Sequence, residues 1–216
     1  MKSPSPTRGL PPKLYALSPG DLGTEDLQGW LNSFRLCLGA GLRGVLLREP
    51  KLTDRVRLSL AVQMRADLNE KGGYLALHDT PHLAVAAGAD AVHFGFRSLP
   101  LEQARHWSPD SIAMGLSTHE GDSLDGSSPD YAFFGPVFET PSKAGLKDPV
   151  GLNELQERCE LSRTPIWGLG GIDPSNAAAV LGCGVGGIAV RGALWGSPKP
   201  WLVVKEFADA MGGPIG

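Results

Sequence analysis

The chain has 216 residues, 42% of them apolar and 20% charged, with a formal net charge of −3. That length fits one domain of ordinary size with an ample core, and the composition excludes an intrinsically disordered chain. No apolar run approaches the roughly 20 residues of a membrane span, and no long basic run supplies a general nucleic-acid footprint, which leaves local anion binding open.

Pro4, Pro6, Pro11 and Pro12 mark residues 1–12 as a flexible leader ahead of a single domain over 13–216. No apolar stretch follows Lys2 and Arg8, so this is not a secretory signal. Cys37, Cys159 and Cys183 are odd in number and lack metal-ligand spacing, and they read as reduced packing residues of a cytoplasmic protein.

Beyond the leader, short β-rich runs alternate with longer runs of helical period. A strand over 14–17 precedes a helix over 24–39 with Leu27, Leu31, Phe34 and Leu38 on one face. A strand over 44–48 precedes a helix over 54–70, with Val56, Leu60, Met64 and Leu68 at every fourth position. Next come a strand over 74–77, a helix over 81–87 opening on Pro81, a strand over 91–94 and a short helix over 101–106. The fifth strand is expected over 111–116, followed by a weak helical stretch over 120–125. The sixth covers 131–134, with a long loop over 135–151 and a helix over 152–159. After a strand over 166–169, Asp173 and Pro174 form a cap and first turn for a helix ending at Leu181. A strand over 187–190 and a helix over 201–211 complete the chain.

Strict alternation implies parallel strands joined by right-handed crossovers. Eight units of roughly 27 residues fit a closed (β/α)8 TIM barrel near the small end of its range. An open doubly wound sheet is the alternative, but no Gly-x-Gly-x-x-Gly follows the first strand.

Barrel chemistry sits at the C-terminal ends of strands. Those ends carry Arg48-Glu49, His78-Asp79, His93-Phe94-Gly95, Ser117-Thr118-His119, Gly135-Pro136, Gly170-Gly171 and Arg191-Gly192. Glycines over 168–171 ahead of Ile172-Asp173 suit a phosphate loop, since backbone amides can approach an anion there; a tight βα turn explains them equally well. Arg48 suits a phosphate fork, or an ion pair with Glu49 or a neighbouring strand's carboxylate. Asp79 is a Mg²⁺ ligand only with help from substrate phosphates, and otherwise an N-cap before Pro81. His119 is able to move a proton near neutral pH, or is an exposed first-turn residue behind a Ser117 or Thr118 cap. The loop containing Thr140, Ser142 and Lys143 reads as a lid over an anion or as a solvated surface loop.

The order of these motifs resembles the thiamin phosphate synthase and thiazole tautomerase (TenI) family over nearly the whole chain. The carrying segments are Leu46-Leu47-Arg48-Glu49, Asp79, and Ala87-Gly88-Ala89-Asp90-Ala91-Val92-His93-Phe94-Gly95. They continue with Gly115-Leu116-Ser117-Thr118-His119, with Asp130-Tyr131, and with Phe134-Gly135-Pro136-Val137-Phe138-Glu139-Thr140-Pro141-Ser142-Lys143. Gly168-Leu169-Gly170-Gly171-Ile172 and Gly187-Ile188-Ala189-Val190 close the set.

The resemblance implies the barrel fold and two phosphorylated small-molecule substrates. It assigns Thr140, Ser142, Gly170, Gly171, Val190, Arg191 and Gly192 to a thiazole phosphate. It assigns Arg48, Lys51, His78, Ser117 and Lys143 to the pyrimidine diphosphate side, and Asp79 to Mg²⁺. The sequence departs from the synthase pattern mainly on that second side. Leu46 replaces a Gln, Pro50 a Lys (with Lys51 adjacent), His78 an Asn, and Ser98 the second metal Asp. Gly192 stands where a Ser is usual. The thiazole half is retained, so the expected activity is a tautomerase that needs no cofactor, with His119 as general acid/base. A divergent synthase using Mg²⁺ and a non-catalytic binder of thiamin precursors are the alternatives.

Overall fold

The computed structural model describes residues 9–95, 98–122, 128–140 and 148–216. Eight parallel strands close in chain order into a barrel, with β1 pairing both β2 and β8. They are β1 (Leu14–Leu17), β2 (Gly44–Leu47), β3 (Tyr74–His78), β4 (Ala91–Phe94), β5 (Ala113–Thr118), β6 (Tyr131–Phe134), β7 (Ile166–Leu169) and β8 (Gly187–Val190). The described helices are α1 (Leu27–Gly39), α2 (Asp54–Asn69), α3 (Pro81–Ala87), α4 (Leu101–His106), α5 (Gly151–Leu161), α6 (Ala177–Gly182), α7 (Gly192–Trp195) and α8 (Pro200–Ala210). None is long and apolar enough to cross a membrane.

Alternation along each strand sorts the core into two shells. Leu14, Ala16, Val45, Leu47, Leu75 and Leu77 face outward and join the helices in one cluster. Tyr15, Leu46, Tyr74, Tyr131, Phe133 and Trp167 fill the lumen in the other. The lumen holds such large rings because glycines face them. A methyl group on Gly115 would lie 2.3 Å from Tyr131 Cζ, and one on Gly187 would lie 2.4 Å from Trp167 Nε1. Burying one ring of the size of Trp167 contributes roughly 4–6 kcal/mol by area. Trp167 donates its indole N–H to the Pro12 carbonyl at 3.0 Å, so the end of the expected leader closes the barrel floor, with Pro11 buried beside it. Residues 1–8 lie outside the described residues.

Two aspartates from the family-like segments also serve the floor. Asp90 Oδ2 accepts from the Leu75 amide at 2.8 Å and from Arg65 of α2 at 2.6 Å. Asp130 Oδ2 accepts from the Met114 amide at 2.7 Å and from Arg105 of α4 at 3.1 Å. Each ties a helix to a neighbouring strand at the end opposite the chemistry. Cys37 is buried, and burial pushes its thiol up to about 12, as suits a packing residue.

Several elements differ from the sequence reading, and α1 begins at Leu27, three residues later than expected. β5 lies two residues later, because the Ile112 amide turns back to Pro109 while Ser117 and Thr118 gain partners on neighbouring strands. Residues 119–122 form a turn, closed by the Asp122 amide on the His119 carbonyl, in place of the weak helical start. The expected helix after strand seven begins at Ala177, because Asp173 Oδ1 takes the amide and hydroxyl of Ser175 in a preceding turn.

Candidate active site at the barrel mouth

The mouth begins at the loop after β1. Gly20, with φ +93°, donates its amide to Glu49 Oε1 at 2.8 Å, and Leu22 donates to Glu49 Oε2 at 2.9 Å. Glu49 is 1% exposed, so its charge is satisfied by main-chain amides. It makes no ion pair with Arg48, and that alternative for Arg48 falls away. Adjacent positions on a strand face opposite ways, which explains the separation. Arg48 is anchored through its amide, which donates to the Ser18 hydroxyl at 2.8 Å.

Arg48 and Arg191 continue the inward-facing positions of β2 and β8, the two neighbours of β1. A methyl group on Gly20 would sit 3.4 Å from Arg48 Nη1 and 3.7 Å from Arg191 Nη1. Two guanidiniums therefore converge on one point above Gly20. Among the described residues neither has a carboxylate partner, which leaves their forked donors for an anion. Val190, by contrast, is buried among the helices and offers the mouth only its backbone. Lys51 is exposed at the turn before α2.

Across the mouth, the ends of β3 and β4 carry a closed hydrogen-bond network. Asp79 has a left-handed backbone, φ +57°, uncommon outside glycine but tolerated by Asp. Its Oδ2 meets His78 Nδ1 at 3.1 Å, and its Oδ1 accepts from the Ser98 hydroxyl. That hydroxyl in turn accepts the Gly95 amide at 2.6 Å. Partial burial disfavours charge on Asp79, but hydrogen bonds from His78 and Ser98 outweigh it and hold the carboxyl below its ordinary value. Thr80, not Asp79, is the residue before α3, and its hydroxyl bonds the His78 carbonyl.

These residues do not fit Mg²⁺. The ion wants near-octahedral oxygens, usually one or two carboxylates plus waters and phosphates. Here one carboxylate already has a partner on each oxygen, and Ser98 spends its proton on Asp79 and a lone pair on Gly95.

Inside the network lies His93, which sequence reading placed only at a strand end. Its Nε2 is 2.9 Å from Ser117 Oγ, its Nδ1 is 3.2 Å from Tyr131 Oη, and its ring lies 4.1 Å from that of Phe133. Burial, with the charge of His78 adding to it, pushes its pKa well below the ordinary histidine value. His93 is thus neutral and fixes the Ser117 hydroxyl at the mouth. The period-two spacing from Ala91 to His93 was the signal available, because it puts both on the lumen face. His119 lies past the end of β5, with Nδ1 3.3 Å from Asp122 Oδ2, while its amide donates to the same oxygen at 2.8 Å. Neither Ser117 nor Thr118 caps a helix, since Thr118 donates to the Phe133 carbonyl at 3.0 Å.

The loops after β6 and β7 lie against each other. Val137 and Phe138 donate their amides to the carbonyls of Leu169 and Gly170 at 2.9 and 3.0 Å. Gly170 and Gly171 have φ of +100° and +65°, and a methyl on Gly171 would lie 2.5 Å from the Glu139 carbonyl oxygen. Close loop packing is therefore one reason for these glycines. It also brings Glu139, the residue before Thr140, against Gly171. Ser142 and Lys143 lie outside the described residues. Gly192 opens the four-residue helix α7, which sequence reading missed. A cavity of about 710 Å³ lined by Arg43, Lys71 and Asp209 sits at the opposite end of the barrel, away from these groups.

Residues 14–194 match the family model described as thiamine monophosphate synthase. The chain belongs to this family. A putative thiamine-phosphate synthase of Geobacter sulfurreducens is 36% identical over 177 residues, covering 81% of each chain. The bifunctional thiamine biosynthesis protein ThiM/ThiE of Symbiobacterium thermophilum is 32% identical over 214 residues, 95% of this chain. This chain spans 43% of that longer protein. Among solved structures, the thiamine phosphate pyrophosphorylase from Pyrococcus furiosus superposes with a TM-score of 0.81 at 26% identity, covering 94% of this chain and 97% of that one. The synthase-family barrel thus agrees with the fold expected from the sequence.

Proposed function

We propose that this chain is a thiamin-phosphate synthase, joining a pyrimidine methyl diphosphate to a thiazole phosphate. The observation that carries the reading is the pair of guanidiniums converging above Gly20, without a carboxylate partner among the described residues. A proton shift on a thiazole phosphate creates no second phosphorylated group, whereas a departing pyrophosphate needs concentrated positive charge. The names of the relatives point the same way. This reverses the preference for a tautomerase drawn from the lost Asp and Lys positions.

In the proposed reaction the bond from the pyrimidine methylene carbon to the diphosphate oxygen breaks, and its electron pair leaves with pyrophosphate. The thiazole nitrogen supplies the lone pair for the new carbon–nitrogen bond. Arg48 and Arg191 hold the leaving group, while Ser117, fixed by neutral His93, faces the pyrimidine. The Gly171 and Gly192 amides and Thr140, with Ser142, hold the thiazole phosphate. The test is formation of thiamin phosphate and stoichiometric pyrophosphate from the two substrates, read by thiochrome fluorescence. No product above background at high enzyme concentration overturns the reading.

One observation favours a second reading. His119 and Asp122 form a dyad in which Asp122 faces Nδ1 and orients the imidazole, as suits an acid/base histidine. Isomerisation of a carboxylated thiazole phosphate, followed by absorbance and lost in His119→Asn, would establish a tautomerase.

A further inference from the structure

We infer that Arg191 acts with Arg48 as a clamp that takes the diphosphate without a divalent cation. The inference rests on the synthase reading and names the charge that replaces the metal in it. Three observations carry it.

The first is placement. β8 and β2 flank β1, and both arginines stand one inward position beyond a lumen residue, Ala189 on β8 and Leu46 on β2. Strand geometry therefore sends both side chains into the mouth from the two sides of the Gly20 loop. The second is the open point between them. Gly20 has no side chain, and the place a methyl would fill lies within 4 Å of a nitrogen from each guanidinium. Glu49 beside that loop is turned into the protein by the Gly20 and Leu22 amides, and Asp21, next to Gly20, is exposed and pairs with neither arginine among the described contacts. Glu49 lowers the repulsion between the arginines without occupying their donors. The third is the state of the β3–β4 side, where His78, Asp79, Ser98 and Gly95 hydrogen-bond one another around a single carboxylate. A cation there would compete with that network for its single carboxylate, whereas an anion at Gly20 displaces no described hydrogen bond.

Two guanidiniums bring the same formal charge as one divalent ion. They add forked, directional N–H donors matched to phosphate oxygens. They also need no dehydration of a tightly hydrated cation.

Calorimetric titration of the full chain with sodium pyrophosphate in EDTA tests the clamp. Saturable binding in EDTA is expected, with Mg²⁺ failing to tighten it. Arg191→Met and Arg48→Met should each weaken pyrophosphate about tenfold or more while thiazole phosphate affinity falls much less. Should Arg191→Met melt early, Arg191→Lys keeps the charge, removes the fork and should still weaken pyrophosphate about threefold. Binding that appears only with Mg²⁺, an unchanged affinity in the Arg191 variants, or a loss confined to thiazole phosphate overturns the clamp. The two readings fail separately. Product formed only with Mg²⁺ sinks the clamp and leaves the synthase standing. Metal-free pyrophosphate binding without any product sinks the synthase and leaves the clamp.

Discussion

Replacing His93 by Gln probes the lumen that supports the site. His93 is 1% exposed, and burial drives its pKa well below the ordinary value of 6.5. In the unfolded chain the same ring protonates near that ordinary value, so the unfolded state binds more protons once the pH falls below it. Stability contributed by keeping His93 neutral is therefore complete above about pH 6.5 and declines as the pH drops. While the folded ring stays neutral, the limiting slope is about 1.4 kcal/mol per pH unit, which accumulates about 1 kcal/mol between pH 6.5 and 5.5. For a domain of this size that is a fall in Tm of roughly 2–4 °C. His93→Gln removes the titrating ring, so the gap in Tm between parent and variant should narrow by that amount from about pH 7.5 to 5.5. Thermal melts followed by circular dichroism at both pH values read it. A gap that is the same at both would refute a neutral buried His93, and with it the fixed Ser117 hydroxyl.

Gly115→Ala drives a methyl to 2.4 Å from His93 Nδ1 and 2.5 Å from Tyr131 Oη, so overpacking and a lost buried hydrogen bond should destabilise by about 3 kcal/mol or more, measured by urea unfolding. Glu49→Ala strips the Gly20 and Leu22 amides of their acceptor; we expect a loss of about 2–4 kcal/mol and weakened pyrophosphate binding, seen by melts and calorimetry. Gly20→Ala sets a methyl between the two arginines at φ +93°, and should abolish pyrophosphate binding for about 1–3 kcal/mol of stability. His119→Asn should leave thiamin phosphate formation within about threefold of the parent, because its dyad with Asp122 lies outside the clamp; a loss of several orders of magnitude would place the histidine in the chemistry.

Much of the barrel was legible because each strand is a short apolar run stopped by Gly, Pro or a charge. Tyr131 to Phe134 and Gly187 to Val190 have the bounds read from sequence. β5 was misplaced because Ser111 and Ile112 look like strand residues, whereas Ser117 and Thr118 look like loop. Their side chains find partners only on β4 and β6, and a single chain segment carries no trace of those neighbours. The site divided in the same way. Glycines at 170 and 171 and the arginine at 48 announced themselves by type and by place at a strand end. Glu49 misled, since sequence adjacency suggests an ion pair and strand alternation forbids it. His93 sat within an apolar run, and only closure of the barrel shows that it faces Ser117 and Tyr131.

The arrangement also constrains how two phosphorylated substrates share one mouth. Arg191 and Gly192 are adjacent, so the proposed diphosphate clamp and the proposed thiazole phosphate cradle meet at one peptide. Two anions drawn to neighbouring groups repel each other, and the Arg191 guanidinium lies at the Gly20 side of that boundary. Its charge is then felt by both, strongly by the diphosphate it grips and more weakly by the monoester held on amides. Removing that charge should therefore do more than weaken pyrophosphate. It should also make the two ligands antagonistic, so that saturating thiazole phosphate lowers pyrophosphate affinity further in Arg191→Met than in the parent. Equal coupling in the two proteins would mean that Arg191 serves one ligand alone.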